Sequence, residues 1–451
     1  MYLKNKNIHF IGIGGIGMCG LAELLYNSGC RVTGSDLQEG LEVFRLKKLG
    51  IPVFIGHHSS HIDSQTDIVV FSSAIKKDNV ELQEAQRRYL TIIHRAEALA
   101  EMMRLKHGIV VAGSHGKTTT TAFLASLFFN AGKNPTVVAG GRLDLFQSTA
   151  HLGKSKWFIA ESDESDGSFH HLFPELVVLT NIDDDHLDFY GSLFEMKKNF
   201  YDFLKKIPFY GAVIACGDCK NVREILSQGF SRQFYLYGFS KNNDFVLKKK
   251  KDQYFVYYKN KKWTEFTVPL KGDYNALNAL GAMICAYTAG LKKSKIFTGL
   301  QNFKGVKRRR EFKGSYKGCL FYDDYAHHPT ELLALLSSFK KEFQDRRLIA
   351  FFQPHRYTRF QSCWAGFLKS FDLADILYVL PVYPAGEEPI DHINSQNFVK
   401  QIKHKKAYFI KETEVYSTFS KLLKEKDVFI TLGAGSVYSY GESLLSKLKQ
   451  A

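Results

Sequence analysis

Ala112-Gly113-Ser114-His115-Gly116-Lys117-Thr118-Thr119 stands between an apolar run, Ile109-Val110-Val111, and a predicted helix over 120–129. A strand, a glycine loop closing on Gly-Lys-Thr and a helix form a cradle for nucleotide phosphates. Glycines let backbone N–H groups turn inward, and the helix N-terminus adds partial positive charge. Lys117 is placed to reach the β- and γ-phosphates, and the Thr118 hydroxyl to ligand Mg²⁺. Val111 occupies the position where the pattern G-x-x-x-x-G-K-[ST] has its first glycine. On this stretch alone a plain strand-to-helix turn remains the alternative.

Upstream, Ile8-His9-Phe10-Ile11 runs into Gly12-Ile13-Gly14-Gly15-Ile16-Gly17. A helix over 18–27 and a strand over 31–34 follow, then Asp36. This is a Rossmann fingerprint with its acid in the expected place, the usual mark of NAD or FAD. The loop chemistry specifies only a pyrophosphate on a helix N-terminus, and a UDP-sugar carries one too. Strands over 52–55 and 68–71 come next; the second ends in Ser72-Ser73-Ala74, at the carboxyl edge where ligands of open α/β sheets bind.

Downstream, the strand Trp157-Phe158-Ile159-Ala160 ends in Glu161, Asp163, Glu164 and Asp166. Carboxylates at the tip of a buried strand beyond a Gly-Lys-Thr loop fit Mg²⁺ ligation, and Glu161 lies nearest the strand end. Leu176-Val177-Val178-Leu179 ends in Thr180-Asn181-Ile182-Asp183-Asp184-Asp185-His186. His186 reads there as a metal or phosphate ligand, or as a solvated loop residue. From about 314, strands again end in chemistry: Asp323-Asp324-Tyr325-Ala326-His327-His328, Gln353-Pro354-His355-Arg356-Tyr357-Thr358-Arg359, Tyr383-Pro384-Ala385-Gly386-Glu387, and Gly433-Ala434-Gly435-Ser436. Two arginines in one short loop suit a carboxylate or phosphate clamp.

At 451 residues the chain has room for two to four domains. The expected architecture is α/β in three parts. A Rossmann-like domain covers 1–107, a P-loop-type ATP-binding domain 108–313, and a Rossmann-like closing domain 314–451. The net charge of +16 allows nucleic acid, an acidic surface or a polyanionic substrate as partner. Its densest run, Lys248 to Lys251 beside Tyr254-Phe255-Val256-Tyr257-Tyr258, reads better as a lysine-coated hairpin than as a nucleic-acid arm. Seven scattered cysteines suit a reducing cytoplasm, and no apolar run is long enough for a membrane span. A zinc or redox role for Cys216-Gly217-Asp218-Cys219 is disfavoured, because no second pair accompanies it.

A dehydrogenase needs no Gly-Lys-Thr loop with Mg²⁺ acids, and a simple ATPase needs neither the first Rossmann unit nor the third segment. An ATP-driven ligase with a nucleotide-linked substrate uses all three. The chain resembles the Mur ligases through Gly12–Glu23, His94–Glu101, Gly113–Thr120, Glu161–Phe169, Asp185-His186, Val306–Arg309, Asp323–Glu331, Gln353–Arg359 and Tyr383–Glu387. The resemblance implies that ATP and Mg²⁺ drive formation of an acyl phosphate, with UDP-N-acetylmuramate and L-alanine as substrates, in peptidoglycan precursor synthesis. It implies neither a nucleic-acid partner nor a membrane span, and leaves the oligomeric state open. A tripeptide-joining relative acting on the same sugar nucleotide is the nearer rival, and an NAD-dependent oxidoreductase and a nucleic-acid binder are the distant ones.

Carried over by resemblance, Gly113, Ser114, His115, Gly116, Lys117, Thr118, Thr119, Asn275, Asn278, Arg308 or Arg309, and Asp324 serve the nucleotide. Thr118, Glu161 and His186 serve the metal. Gly12, Gly14, Gly15, Gly17, Asp36 and Ser73 serve the uridine diphosphate. Tyr325, His327, Arg356 and Arg359 hold the amino acid and the muramoyl end. Lys117, His186, His327, Arg356 and Arg359 are the expected catalytic set. Arg310 stands where the family prefers an aromatic residue, so which arginine meets ATP is left open, and Tyr274 stands where a histidine is usual.

Overall fold

The computed structural model describes residues 5–450. The chain forms two compact units. The first takes residues through Asp183 together with Phe194–Pro269 and Leu277–Val306; the second takes Asp184–Leu193, Leu270–Ala276 and everything from Lys307.

The first unit opens with β1 (Asn7–Ile11), β2 (Arg31–Asp36), β3 (Val53–Ile55), β4 (Ile68–Phe71) and β5 (Thr91–His94). They make a parallel sheet of order β3-β2-β1-β4-β5, which puts the glycine loop after β1 at the point where strand order reverses. The helix Ile16–Asn27 begins two residues before the expected 18, because extended Gly15 already serves as its N-cap.

The same unit holds a ten-stranded sheet: β6 (His107–Ala112), β7 (Thr136–Leu143), β8 (Ser148–His151), β9 (Trp157–Glu161), β10 (Leu176–Leu179), β11 (Ala212–Cys216), β12 (Gln233–Gly238), β13 (Phe245–Lys250), β14 (Gln253–Tyr258) and β15 (Lys261–Phe266). Their order is β15-β14-β13-β12-β11-β10-β6-β9-β7-β8. β10 and β11 are buried at every residue, as continuous apolar runs covered on both faces should be. The expected hairpin appears as β13–β14, and β15 extends it into an antiparallel meander. The helix after β6, Lys117–Asn130, starts three residues earlier than expected. Gly116 takes a left-handed φ of 80°, which ends the loop there. Four consecutive threonines are poor helix formers, but all four are buried, and the Thr120 hydroxyl bonds back to the Gly116 carbonyl at 2.9 Å.

In the second unit β16 (Glu311–Tyr316), β17 (Cys319–Asp324), β18 (Arg347–Phe352), β19 (Ile376–Val379), β20 (Ala407–Phe409) and β21 (Asp427–Leu432) form one sheet of order β16-β17-β21-β18-β19-β20. Only β16 runs antiparallel to its neighbour. Alternate side chains feed two cores, one around Leu336, Phe339, Phe352 and Phe371, the other around Phe351, Phe419 and Phe429, so helices cover both faces. The helix Pro329–Glu342 places proline in its first turn, where a missing N–H costs nothing.

Candidate active site

In the first unit the phosphate loop is held open from behind. Gly113 has a φ of 128°, and a side chain there would strike Thr180 and the Asn181 backbone. Asn181 Oδ1 accepts the His115 N–H at 2.9 Å, Thr180 Oγ1 donates to the His115 carbonyl at 2.7 Å, and Asp183 lies 2.9 Å from His115 Nε2. Ser114 Oγ accepts the Asp183 N–H at 2.9 Å. The end of β10 thus fixes the loop, leaving Lys117 to span its mouth. Lys117 Nζ donates to the carbonyls of Gly113 (2.7 Å) and Ser114 (2.9 Å) and to Glu164 Oε1 (2.6 Å). Burial works against its charge, but Glu164 and then Glu161 outweigh it and hold the ammonium above the ordinary lysine range. Burial pushes Glu164 up to about 7 despite Lys117. Thr119 points into the core at 5% exposure.

Thr118 Oγ1 donates to Glu161 Oε1 at 2.8 Å, and Gly140 N–H donates to Glu161 Oε2 at 2.5 Å. A hydroxyl and a carboxylate in contact at the mouth of the loop are hard oxygen donors of the kind Mg²⁺ takes, so these residues fit the metal. Asn278, on the helix Asp273–Thr288, lies against Gly116, where an added Cβ would meet its Oδ1 at 2.6 Å. Asn275 lies in the first turn of the same helix, among the residues assigned to the second unit, and its amide donates to the Lys271 carbonyl at 3.0 Å.

The glycine loop after β1 is also pre-shaped. Gly12 has a φ of 77°, and the N–H groups of Gly12 and Ile13 bond the Ser35 carbonyl. Asp36 Oδ2 accepts the Gly14 N–H at 2.8 Å, so the acid of the fingerprint braces its own glycine loop. A Cβ on Gly17 would lie 2.9 Å from Arg95 Nη1, and Arg95 Nη2 donates to Asp163 at 2.8 Å. Ser73 Oγ donates to Asp166. The acids after β9 therefore face both glycine loops, Asp163 and Asp166 on the β1 side and Glu161 and Glu164 on the β6 side. Arg95 escaped the sequence reading of the site because nothing in the spacing of His94-Arg95-Ala96-Glu97 ties it to Gly17.

The second unit carries the other group. Arg359 Nε lies 3.4 Å from Asp185 Oδ1, and His186 Nε2 lies 3.5 Å from Asp185 Oδ2. Burial raises Asp185, but Arg359 and then His186 hold its carboxyl far below the usual carboxylate range. Among the described residues His186 thus sits with Asp185 in this unit, while Thr118 and Glu161 belong to the first. Arg356 adopts φ 69° and ψ 131°, a strained backbone for an arginine. Glu387 Oε1 accepts from Arg356 Nε at 2.5 Å and from Thr358 Oγ1 at 2.7 Å, and its Oε2 accepts the Thr358 N–H at 3.0 Å. Glu387 is the positioning residue of that loop. His327 Nδ1 faces the Tyr325 carbonyl at 3.0 Å, which assigns the proton to Nδ1 and leaves Nε2 as an acceptor. Burial, then Arg359, pushes His327 down to about 3, so the ring is neutral at pH 7.

The structure separates the three arginines. Arg310 is buried against the Phe339 ring and pairs with Glu342, which makes it structural. Arg308 reaches Asp323 at 3.2 Å and the Gly433 carbonyl at 2.5 Å between the rings of Tyr325 and Tyr438. Arg309 stacks on Tyr325 with Glu331 at 3.8 Å. Asp324 accepts backbone N–H groups from Arg310 (2.7 Å) and Ala326 (2.8 Å), and burial raises it to about 6.

Two phosphate-type loops in one unit and an arginine–histidine group in the other define an ATP-using ligase. Residues 7–107 match the Mur ligase family, catalytic domain; residues 111–286 the Mur ligase middle domain; and residues 308–435 the Mur ligase, glutamate ligase domain. The chain belongs to the Mur ligase family. It is 46% identical over 455 residues to UDP-N-acetylmuramate–L-alanine ligase from Bdellovibrio bacteriovorus, covering 99% of this chain and 100% of that one. It superposes on UDP-N-acetylmuramate-alanine ligase MurC from Thermotoga maritima with a TM-score of 0.84 at 28% identity, over 98% of this chain and 99% of that one. A murein peptide ligase from Psychrobacter arcticus shares the fold, with a TM-score of 0.77 at 24% identity over 99% of each chain.

Proposed function

We propose that the chain joins L-alanine to UDP-N-acetylmuramate at the expense of ATP, giving UDP-N-acetylmuramoyl-L-alanine, ADP and phosphate. The γ-phosphoryl group passes to the muramoyl carboxylate, forming an acyl phosphate as the bond to ADP breaks. The amine of alanine then attacks the acyl carbon, phosphate leaves, and the amine gives up a proton. Lys117, released from its loop carbonyls, neutralises charge on the transferred phosphoryl group together with the N–H groups of the helix Lys117–Asn130. Thr118 and Glu161 would hold Mg²⁺, which supplies Lewis-acid charge at the phosphates. Neutral His327 accepts an amine N–H at Nε2, and Arg356 and Arg359 take carboxylate oxygens. Arg308 or Arg309 is the arginine that meets ATP, because Arg310 is buried against Phe339 and paired with Glu342. The loop over 12–17 takes the uridine diphosphate.

The observation that carries this reading is Lys117 poised between its loop carbonyls and Glu164, beside the Thr118–Glu161 contact. The reaction belongs in the cytoplasm, where seven free cysteines persist. Phosphate release from ATP with Mg²⁺ and UDP-N-acetylmuramate, with and without L-alanine, tests it. Release that needs both substrates is expected. Release with a tripeptide but not with L-alanine would assign the chain to the recycling reaction.

A further inference from the structure

The ligase chemistry makes no use of the meander β13–β14–β15. Its 22 residues, 245–266, carry seven lysines and two acids. The Lys293 ammonium lies against this meander, 3.4 Å from the Trp263 carbonyl and over the Trp263 ring, which adds the exposed Lys292, Lys293 and Lys295 to the same region. Half of the formal charge of +16 thus gathers around one end of the ten-stranded sheet. Register and pleat set the arrangement. Phe245, Leu247, Tyr254 and Val256 turn inward and are buried. Lys248, Lys250, Phe255, Tyr257 and Lys262 share the other face, where Lys248 opposes Phe255 and Tyr257 opposes Lys262. Lysine ammoniums lie over the rings, with Lys248 Nζ 4.7 Å from the Tyr257 centroid and Lys262 Nζ 5.3 Å from that of Phe255. The rings thereby hold the ammoniums in a layer above a half-apolar floor.

We propose that this face docks the protein on an anionic lipid bilayer. A single-stranded nucleic acid wants open ring faces for base stacking and arginine forks for phosphate. Here lysines cover the rings, and the meander contains no arginine. A flat layer of point charges suits a fluid surface whose headgroups can move beneath each ammonium.

The test is sedimentation of the full chain with phosphatidylcholine vesicles, with and without about 30% phosphatidylglycerol, at low and high salt. Binding to the anionic vesicles alone, lost at high salt, is expected. The triple variant K248E/K250E/K262E should weaken that binding about 100-fold or more, and K248Q/K250Q/K262Q by less, while both release phosphate from ATP at the parent rate. That activity readout separates this proposal from the assignment of substrates. Equal binding to neutral vesicles, or undiminished binding by the glutamate variant, would overturn it. So would tighter binding to a single-stranded oligonucleotide that the same substitutions erase.

Discussion

Lys117 and Glu387 illustrate two ways in which one side chain carries function. Lys117 bonds its own loop while waiting for phosphate, so Lys117→Ala should remove phosphoryl transfer, a loss of about 10³-fold or more in kcat, and spare UDP-N-acetylmuramate affinity. Calorimetric titration of the sugar nucleotide beside the phosphate assay checks both halves; intact turnover would sink the assignment. Glu387 touches no expected substrate group but holds Arg356 in its strained backbone through three hydrogen bonds to Arg356 and Thr358. Glu387→Ala should raise the KM for the sugar nucleotide about 10-fold with the KM for ATP unchanged, and Glu387→Gln should recover part of the loss. Equal effects on both KM values would reduce Glu387 to a general structural role.

At the scale of elements, the glycine loops are built by their neighbours as much as by their own residues. Asp36 and Val43 fill the space beside Gly14, where a Cβ would meet them at 2.9 and 2.8 Å. Gly14→Ala should weaken UDP-N-acetylmuramate binding at least about 10-fold and leave ATP binding as it was, which the same titrations resolve. Behind β2, Glu81 is wholly buried and gathers Ser35, His9, His57 and His61. Burial pushes it up, but the adjacent His9 ring and the hydrogen bonds from Ser35 and His61 win and hold it at about 2 against an ordinary 4.5. This is worth about 3 kcal/mol at neutral pH. A lowered carboxylate stabilises above its unfolded value, so the contribution is complete above about pH 4.5 and fades as the pH falls toward 2. Thermal unfolding of Glu81→Gln should show the deficit at pH 7 and converge with the parent in acid. The strands that position the site were legible because buried parallel strands write continuous apolar runs, as Leu176–Leu179 does to the residue. Helix starts were less so: Lys117 and Ile16 begin helices only because Gly116 and Gly15 adopt cap geometry, which spacing does not reveal. Partners distant in sequence, such as Arg95 with Asp163 or Arg310 with Glu342, were illegible because only folding brings them together.

For the molecule as a whole, ligand linkage reports whether the nucleotide site works as assigned. A non-hydrolysable ATP analogue with Mg²⁺ at about 100 times its Kd should stabilise the chain by about 2.7 kcal/mol, and Glu161→Gln or a chelator should remove most of that gain. An unchanged melting shift in Glu161→Gln would remove that carboxylate from the metal site. The ten-stranded sheet also has two ends, and an open sheet end is a template on which other chains can add strands. At one end β8 is covered by the helix Ile16–Asn27: Ser148 donates to Glu23 at 2.7 Å, and Gly20 leaves no room for a side chain against Thr149. At the other end β15 is the last strand in order; Lys293 donates to its Trp263 carbonyl at 3.4 Å, and it begins with exposed Lys261 and Lys262. Charge there does what a helix does at the far side, keeping neighbouring molecules from stacking edge to edge. Replacing these lysines with threonine or valine should therefore yield a chain that folds and turns over normally when dilute but clumps into fibrous aggregates when concentrated.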